Sequence, residues 1–253
     1  MENNRVPQYF IKPVNLSGNR CRIEGDDYIH LSRVRRVRSS DIIHVRLESG
    51  ELFSARVVQV HDSAVEAELI DQVENEHAAI DLTLCMCVMK GKKNDQAIRD
   101  AVEVGVSRIV PVISRRTIPD LRGRENERTE RWNRIALEAA KQCMQEHVPV
   151  VEDVCDFETV LLQRPGQVRI LAHPAAEQDL NSVLDSCAPA QGISLLVGPE
   201  GGFDSEEVGL AEENGWRAAR FGFTHMRAET AAVVLPALII YALGSAGTDR
   251  SGS

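Results

Sequence analysis

Strand-like and helix-like segments alternate from about residue 80 onward, and no other feature of the sequence restricts the fold as much. The apolar runs LTLCMCVM, RIVPVI, VRILAHP, ISLLVGP and AARFGF have the composition of buried strands. Between them lie segments with helical periodicity, among them NDQAIRDAVEVG, ERTERWNRIALEAAKQCMQEH and the apolar ETAAVVLPALIIYAL. This alternation predicts an α/β domain in which helices cover both faces of a parallel sheet.

Several residues mark the ends of the predicted helices. We expect Asn94 to be the N-cap of one helix, with Gly105 just past its end. Asp204 and Glu207 have the spacing of a capping box at the start of another. Pro236 lies inside the last apolar segment and predicts a kink or a later helix start, because proline has no backbone N–H to donate.

The first seventy or so residues have a different organisation. RCRIEG, DIIHVRL, ELFSARVVQV and AVEAELI have the pattern of short strands, with HLSRVRRV as a candidate short helix. This pattern predicts a small β-barrel, followed by the polar linker DQVENEHAA. We therefore expect an N-terminal domain over residues 1–72, an α/β domain over 73–245 and a disordered tail over 246–253.

Charge and cysteine content narrow the function classes. The 253-residue chain has a formal net charge of −9, but residues 1–40 carry 8 Lys and Arg against 4 Asp and Glu, so a basic surface is expected there. The six cysteines form no CxxC pair, and Cys85 and Cys87 would share one strand face as buried thiols. With no apolar signal segment or transmembrane run, we expect a cytoplasmic protein with no metal site and no membrane partner.

The stretch LVGPEGGF ends one of the predicted strands, and both a plain tight turn and a backbone cradle for a ligand would explain it. Ligands of open α/β sheets bind outside the carboxyl ends of the strands. The loop lacks the Lys and Ser/Thr of a Walker motif, and Glu200 would repel a polyphosphate. It therefore favours a neutral or cationic ligand, which the missing side chains of Gly201 and Gly202 would allow to approach closely.

A second segment, FGFTHMRAETA, also follows a predicted strand and opens a helix. Arg227 lies just before this helix, while Glu229 and Thr230 suit the positive end of its dipole. Arg227 is either the ion-pair partner of a nearby acid or a site residue. Two glycine-containing strand ends in one sheet favour a shared crevice and hence the second interpretation.

VGPEGGF followed by MRAETA resembles the pair of carboxy-terminal motifs of the ribosomal RNA small subunit methyltransferase E (RsmE) family. HLSRVRRV, MKGKKNDQAIRDAVEVGVSRIVPVISRRT and RWNRIALEAAKQ resemble its other motifs in the same order, so the resemblance covers nearly the whole chain. It implies a SPOUT-type parallel sheet with helices on both faces and a C-terminal trefoil knot, preceded by a small PUA-like β-barrel. It also implies S-adenosyl-L-methionine as methyl donor, a homodimer, and methylation of N3 of one uridine in 16S rRNA of the small ribosomal subunit.

The resemblance implies the cofactor residues, whereas the catalytic and RNA-binding residues are expected from their chemistry and charge. Arg227 and Glu200 are the expected catalytic residues: Arg227 would hold the uracil, while the general base stays open between Glu200, His225 and a water. The expected cofactor site comprises Leu171, Ala172, His173, Leu196, Val197, Gly198, Pro199, Glu200, Gly201, Gly202, Phe221, Gly222, Thr224, His225 and Met226. The expected RNA-binding residues are Arg33, Arg35, Arg36, Lys90, Lys92, Lys93, Arg115 and Arg116.

The sequence departs from the family pattern at three places. Thr224 and His225 replace an Arg and an apolar residue, and KQCMQEH lacks an expected Arg. A turn that is Gly-Asp in the family is here Ser40-Asp41. The first two departures leave open a SPOUT methyltransferase with a different RNA target. A non-catalytic RNA-binding or assembly protein with the same fold is the other alternative.

Overall fold

The computed structural model describes residues 8–47, 51–73, 80–119, 121, 123–143, 145, 147–163, 167–186, 192–222 and 225–248. The chain forms two compact units. The first comprises Met1–Ala78 and Ala140–His147, and the second comprises Ala79–Ala139 and Val148–Ser253. The sequence predicted a single boundary at 72–73 and gave no sign that the segment Ala140–His147 clusters with the N-terminal residues.

Two polar contacts explain why this segment belongs to the first unit. Lys141 Nζ lies 2.8 Å from Asp27 Oδ1, with both side chains largely buried. Gln8 Nε2 donates to the carbonyl of Gln145 at 2.6 Å. Both contacts join residues more than one hundred positions apart, a separation over which sequence patterns carry no pairing information.

Within the described residues, the N-terminal part of the first unit contains one sheet and three short helical elements. The strands follow the order β1-β4-β5-β6-β3-β2, in which β1 and β4 are parallel and the other neighbours are antiparallel. Their bounds are β1 (Gln8–Ile11), β2 (Leu16–Ser17), β3 (Arg20–Glu24), β4 (Ile42–Leu47), β5 (Leu52–Val60) and β6 (Ala64–Val73); helix α1 (Gly25–Ile29) continues into a π-helical turn (His30–Val34), and a 3-10 turn spans Pro13–Asn15. The four strands predicted from sequence are confirmed, whereas β1 and β2 were missed.

The arginine-rich segment is held against the core of this unit by apolar anchors. Leu31 and Val37 are buried among the strand side chains. The arginines between them are exposed, because the chain turns outward between its two anchors. The predicted linker after this sheet is partly wrong: its first three residues extend β6, and residues 74–79 lie outside the described part of the chain.

The second unit is an α/β domain, as the alternation predicts. Its described strands are β7 (Leu82–Cys87), β8 (Arg108–Ile113), β9 (Val150–Val151), β10 (Cys155–Asp156), β11 (Val168–Ala172), β12 (Ile193–Val197) and β13 (Arg217–Ala219). Its described helices are α2 (Lys93–Glu103), α3 (Glu125–Cys143), α4 (Phe157–Leu162), α5 (Leu180–Leu184), α6 (Ser205–Glu213) and α7 (Ala228–Thr248). All strand pairs are parallel, in the order β10-β8-β7-β12-β11-β13 with β9 beside β8.

Helices pack on both faces of this sheet. Cys85 and Cys87 of β7 share one face, as predicted, and pack with side chains of α4 and α6. Alternate residues of a strand point to opposite faces. Helix α7 contacts β7, β12 and α2 but adds no side chain to the Cys85–Cys87 cluster, which places it on the other face.

Three helix boundaries differ from the predictions. Asn94 is not an N-cap: it lies inside the first turn of α2, and its amide makes two hydrogen bonds to the backbone of Met89. Helix α3 ends at Cys143, four residues earlier than predicted. Helix α7 begins eight residues before Pro236, so a later start is wrong, and it continues through Thr248 into the predicted tail.

The capping box of α6 and the position of Gly105 after α2 are confirmed. Strand β13 ends at Ala219 rather than at residue 223, because its neighbour β11 ends opposite it at Ala172. Within the described part of the chain, no helix is both long and apolar enough to cross a lipid bilayer.

Candidate functional site

A cavity of about 620 Å³ lies at the carboxyl ends of β11, β12 and β13. The loops that follow these strands form its walls, and the first two turns of α7 close one side. It is lined by Lys93, Ala172, His173, Pro174, Val197, Gly198, Pro199, Glu200, Gly201, Gly202, Phe203, Phe221, Gly222, His225, Met226, Arg227, Ala228, Glu229, Ala231 and Leu235. Parallel strands carry their following loops at one edge, so two segments far apart in sequence share this cavity.

The glycine loop after β12 is both a turn and a cavity wall. The N–H of Gly202 donates to the carbonyl of Pro199 at 2.9 Å. Gly202 has a φ of +65°, a conformation that glycine adopts without steric cost, and an added Cβ would meet no atom within 4 Å. The two explanations of the loop are therefore compatible.

Gly201 has a packing role that the sequence did not predict. A Cβ added to this residue would lie 3.3 Å from side-chain carbons of Arg116. The guanidinium of Arg116 also donates to the carbonyl of Gly201 at 2.8 Å. The missing side chain at position 201 therefore makes room for Arg116, and Gly201 also lines the cavity.

Arg115 and Arg116, which the sequence assigned to RNA, hold the loop after β12 in place. Arg115 pairs with Glu206, lies 3.6 Å from Asp204, and donates its backbone N–H to Glu207 at 2.9 Å. With the contact of Arg116 to Gly201, these bonds fix both ends of the segment that leads from the cavity into α6. The two arginines thus stabilise this loop, and their contact with RNA stays a prediction.

Lys93 lies on the cavity wall between two carboxylates. Its Nζ is 3.2 Å from Glu200 Oε1 and 3.3 Å from the carboxylate of Glu229. Glu200 also accepts the backbone N–H of Lys90 at 3.3 Å. Partial burial favours a higher pKa for Glu200, but its own N–H, the N–H of Lys90 and the ammonium of Lys93 lower the pKa below the ordinary value. Glu200 is therefore a stabilised carboxylate and a weak base.

Arg227 occupies the N-cap position of α7, since its carbonyl accepts the N–H of Ala231 at 2.8 Å. Its side chain is exposed and lines the cavity. Among the described residues its guanidinium has no hydrogen bond or ion pair, so the ion-pair interpretation of Arg227 finds no support. Its charge still contributes to the lowered pKa of Glu229, after the backbone N–H of Glu229 itself and Lys93.

Most of the predicted cofactor residues line the cavity, with three exceptions. Leu171 and Leu196 are buried in the apolar core of the sheet rather than on the cavity surface. Thr224 lies outside the described residues. Leu171 and Leu196 lie inside β11 and β12, and only the residues at the carboxyl end of a strand reach the edge of the sheet, so their contact with a cofactor stays a prediction.

The sequence analysis missed the other part of the lining. Phe203 and Pro174 directly follow predicted residues, and Glu229 was noted only for its place near a helix start. Ala231 and Leu235 carry no sequence signal, because one face of an apolar helix looks like another before its packing is known.

The remaining basic residues are distributed over both units. Arg33, Arg35 and Arg36 are exposed in the first unit. Lys90 and Lys92 are exposed in the turn before α2. Among the described residues, no group of three or more His, Cys, Asp or Glu side chains is arranged to hold a metal ion.

Comparison with known proteins identifies the family. The model of the RNA methyltransferase domain family matches residues 75–240. A ribosomal RNA small subunit methyltransferase E of Synechocystis is 31% identical over 83% of this chain and 69% of its own length. That of Mesomycoplasma hyopneumoniae is 28% identical over 81% of this chain and 88% of its own.

A solved structure agrees with these sequence matches. The crystal structure of a ribosomal RNA small subunit methyltransferase E from Neisseria gonorrhoeae, bound to S-adenosyl methionine, is similar with a TM-score of 0.82 at 27% identity, over 93% of this chain and 97% of that chain. From the matched domain, the relatives and the shared fold, we conclude that the chain belongs to the ribosomal RNA small subunit methyltransferase E family.

Proposed function

We propose that this protein transfers a methyl group from S-adenosylmethionine to N3 of a uridine in 16S ribosomal RNA. The observation that carries the proposal is the cavity in which the GPEGG loop and the Arg227 segment meet. Family membership and the bound methyl donor in the Neisseria gonorrhoeae structure support the same reaction. Since ribosomal RNA is the substrate, we also propose the cytoplasm as the place of action.

The cavity residues fit this methyl donor. The carboxylates of Glu200 and Glu229 can face a cationic sulfonium, and because they balance Lys93 and Arg227 the wall has no net positive charge to attract the phosphates of ATP or NAD. Phe203, Phe221 and Leu235 add apolar surface, as expected for a ligand with an adenine ring. No atom lies within 4 Å of where a Cβ of Gly202 would be, so a donor can approach the backbone of the glycine loop closely there.

In the proposed reaction, N3 of the uridine loses its proton and its electron pair attacks the methyl carbon. The C–S bond breaks, its electrons remain on sulfur, and the products are methylated RNA and neutral S-adenosylhomocysteine. Arg227 would hold the uracil and stabilise negative charge on its oxygens as N3 is deprotonated. Glu200 acts electrostatically, because its lowered pKa makes it a poor proton acceptor. His225, which lines the cavity, and a water are the candidate bases.

The resemblance to the family extends the proposal to the fold. A trefoil knot in the second unit is supported by its strand order: β12 lies between β7 and β11, and α7 returns from the edge strand β13 to pack on β7 and β12. A PUA-like barrel is supported in the first unit by one continuous sheet around a single apolar core. The exposed arginines of that unit are its proposed RNA contacts.

We further propose a homodimer that uses α7. Ala232, Leu235 and Ile239 bury one stripe of this helix within the domain. On another side, Leu238 is 43% exposed and Tyr241 is 76% exposed. An apolar helix that buries only one of its faces within the domain leaves surface suited to a second copy.

Nucleoside mass spectrometry of 16S rRNA from cells with and without this protein tests the function. Loss of 3-methyluridine without the protein, and its restoration by purified protein with S-adenosylmethionine, is the expected result. A different missing nucleoside would establish another RNA target. An unchanged nucleoside profile, with no binding of S-adenosylmethionine by calorimetry in the presence of RNA, would refute the function and favour a non-catalytic assembly protein.

A further inference from the structure

Lys93 differs from the other basic residues near the strand ends in what it touches. The side chain of Lys92 is exposed and outside the cavity lining, whereas Lys93 lines the cavity and bridges Glu200 and Glu229. These two acids belong to the two motif segments that form the cavity, 107 and 136 residues away from Lys93. Lys93 therefore forms ion pairs with both segments that build the site.

The position of Lys93 is well defined by its neighbours. It is the first residue of α2, and Asn94 bonds both the N–H and the carbonyl of Met89, at 3.0 Å and 2.7 Å. These bonds fix the turn that connects β7 to α2. The backbone that carries the Lys93 side chain is therefore held in place by hydrogen bonds.

The charges on the cavity wall balance only because Lys93 is present. Among the lining side chains, Glu200 and Glu229 each contribute −1, while Lys93 and Arg227 each contribute +1. The two acids have lowered pKa values, so they remain ionised at neutral pH. Removing the charge of Lys93 would leave a net negative wall.

We propose that Lys93 is a positioning residue that sets the electrostatic potential of the cavity and thereby the preference between the cationic methyl donor and its neutral product. The inference rests on the proposed function, since donor and product differ at sulfur by one positive charge. By neutralising one carboxylate, Lys93 limits the advantage of the donor. With Lys93 present, no excess negative charge binds the donor too tightly or disfavours the neutral product.

The size of the effect follows from the geometry. A cavity of about 620 Å³ is roughly 10 Å across when taken as a sphere, so a charge inside it lies within roughly 10 Å of the Lys93 ammonium on its wall. Because the Lys93 side chain is 40% exposed, we take an effective dielectric constant between about 40 and about 80, nearer to bulk water than the value of about 20 typical of protein surfaces. Coulomb's law then gives roughly a 2- to 6-fold change in the ratio of donor to product affinity.

The test is calorimetry of the full-length protein with S-adenosylmethionine and with S-adenosylhomocysteine. Lys93→Met should raise the donor-to-product affinity ratio roughly 2- to 6-fold, and Glu200→Gln should lower it. Lys92→Met removes a lysine charge from the neighbouring exposed position outside the cavity lining and should shift the ratio less than Lys93→Met does. High salt should reduce the shift, because the pair is partly exposed.

The ratio separates this proposal from a purely structural role for Lys93. If Lys93 only braced the loop, its replacement would weaken both ligands equally and leave the ratio unchanged, which would overturn the inference while the proposed function stands. A weaker affinity for RNA with an unchanged ratio would also overturn it, in favour of the RNA contact predicted from sequence. If wild-type protein binds neither ligand, the proposed function fails and the inference with it.

Discussion

Replacing Ser40 by glycine should stabilise the first unit, although the change removes a side chain. Ser40 has a φ of +78°, in the left-handed region that L-residues other than glycine rarely adopt. Ser40 lies in a turn where the carboxylate of Asp41 accepts the N–H of Arg38 at 2.8 Å. The N–H of Ser40 itself donates to the carbonyl of Val57 at 2.8 Å. The backbone bonds therefore hold Ser40 in an unfavourable conformation.

The expected gain is the difference between two terms. A non-glycine residue in this conformation costs about 1–2 kcal/mol, and glycine loses about 0.5–1 kcal/mol more backbone entropy on folding. The Ser40 hydroxyl makes no hydrogen bond within the described residues, so no contact is lost. The difference ranges up to about 1.5 kcal/mol, and its middle value means that Ser40→Gly should stabilise the unit by roughly 0.5–1 kcal/mol.

Ser39→Gly provides a matched control with the opposite sign. The Ser39 hydroxyl donates to the carbonyl of Val58 at 3.0 Å, and its φ is not positive. Losing this bond and adding glycine should destabilise the unit by about 1 kcal/mol or more.

Hydrogen exchange of the Val57 amide, which donates to Asp41 at 2.8 Å, reports on this unit separately from the other. It should slow roughly 2- to 5-fold in Ser40→Gly and accelerate in Ser39→Gly. Faster exchange in Ser40→Gly would show that the positive φ stores no strain.

Three further predictions concern RNA, catalysis and assembly. Replacing Arg33, Arg35 and Arg36 by Ala should weaken RNA binding at all sequences and reduce its salt slope by up to roughly 0.7 per lost phosphate contact, with donor affinity unchanged; intact RNA affinity in binding curves at two salt concentrations would remove the first unit from the docking role. Arg227→Ala should keep RNA binding but slow single-turnover methylation by about 10²-fold or more, and an unchanged rate would exclude a role in the transition state. Light scattering should give a mass near twice 28.0 kDa, and Leu238→Glu should shift it toward the monomer; a stable, active wild-type monomer would contradict the dimer.

Much of the fold was predictable because its signals are local. The apolar runs from LTLCMC to ISLLV contain the central strands, since a strand buried on both faces must be apolar along its length. Asp204 and Glu207 form their capping box within four residues. Asn94 was misassigned because an amide near a helix start has several backbone partners within reach, and the geometry of the β7–α2 turn selected Met89.

The candidate site was predictable where its residues are contiguous. The GPEGG loop and Arg227 both line the cavity, as strand-end loops of a parallel sheet should. The contacts of the basic residues within the domain were not predictable, because Lys93, Arg115 and Arg116 have the same sequence signature as an RNA-binding surface. Their contact with RNA stays a prediction. Their carboxylate and carbonyl partners lie 85 to 136 residues further along the chain.

The sequence by itself therefore determined the kinds of element, their order and the two segments from which the site is built. It did so because strand and helix periodicity, caps and turn residues depend on interactions within a few positions. Only the tertiary structure decided that β12 lies between β7 and β11, that Ala140–His147 clusters with the first unit, and that Lys93 faces two acids. Those outcomes depend on which distant surfaces pack together, and a charged side chain has the same local signature whether its partner is a phosphate, water or a carboxylate.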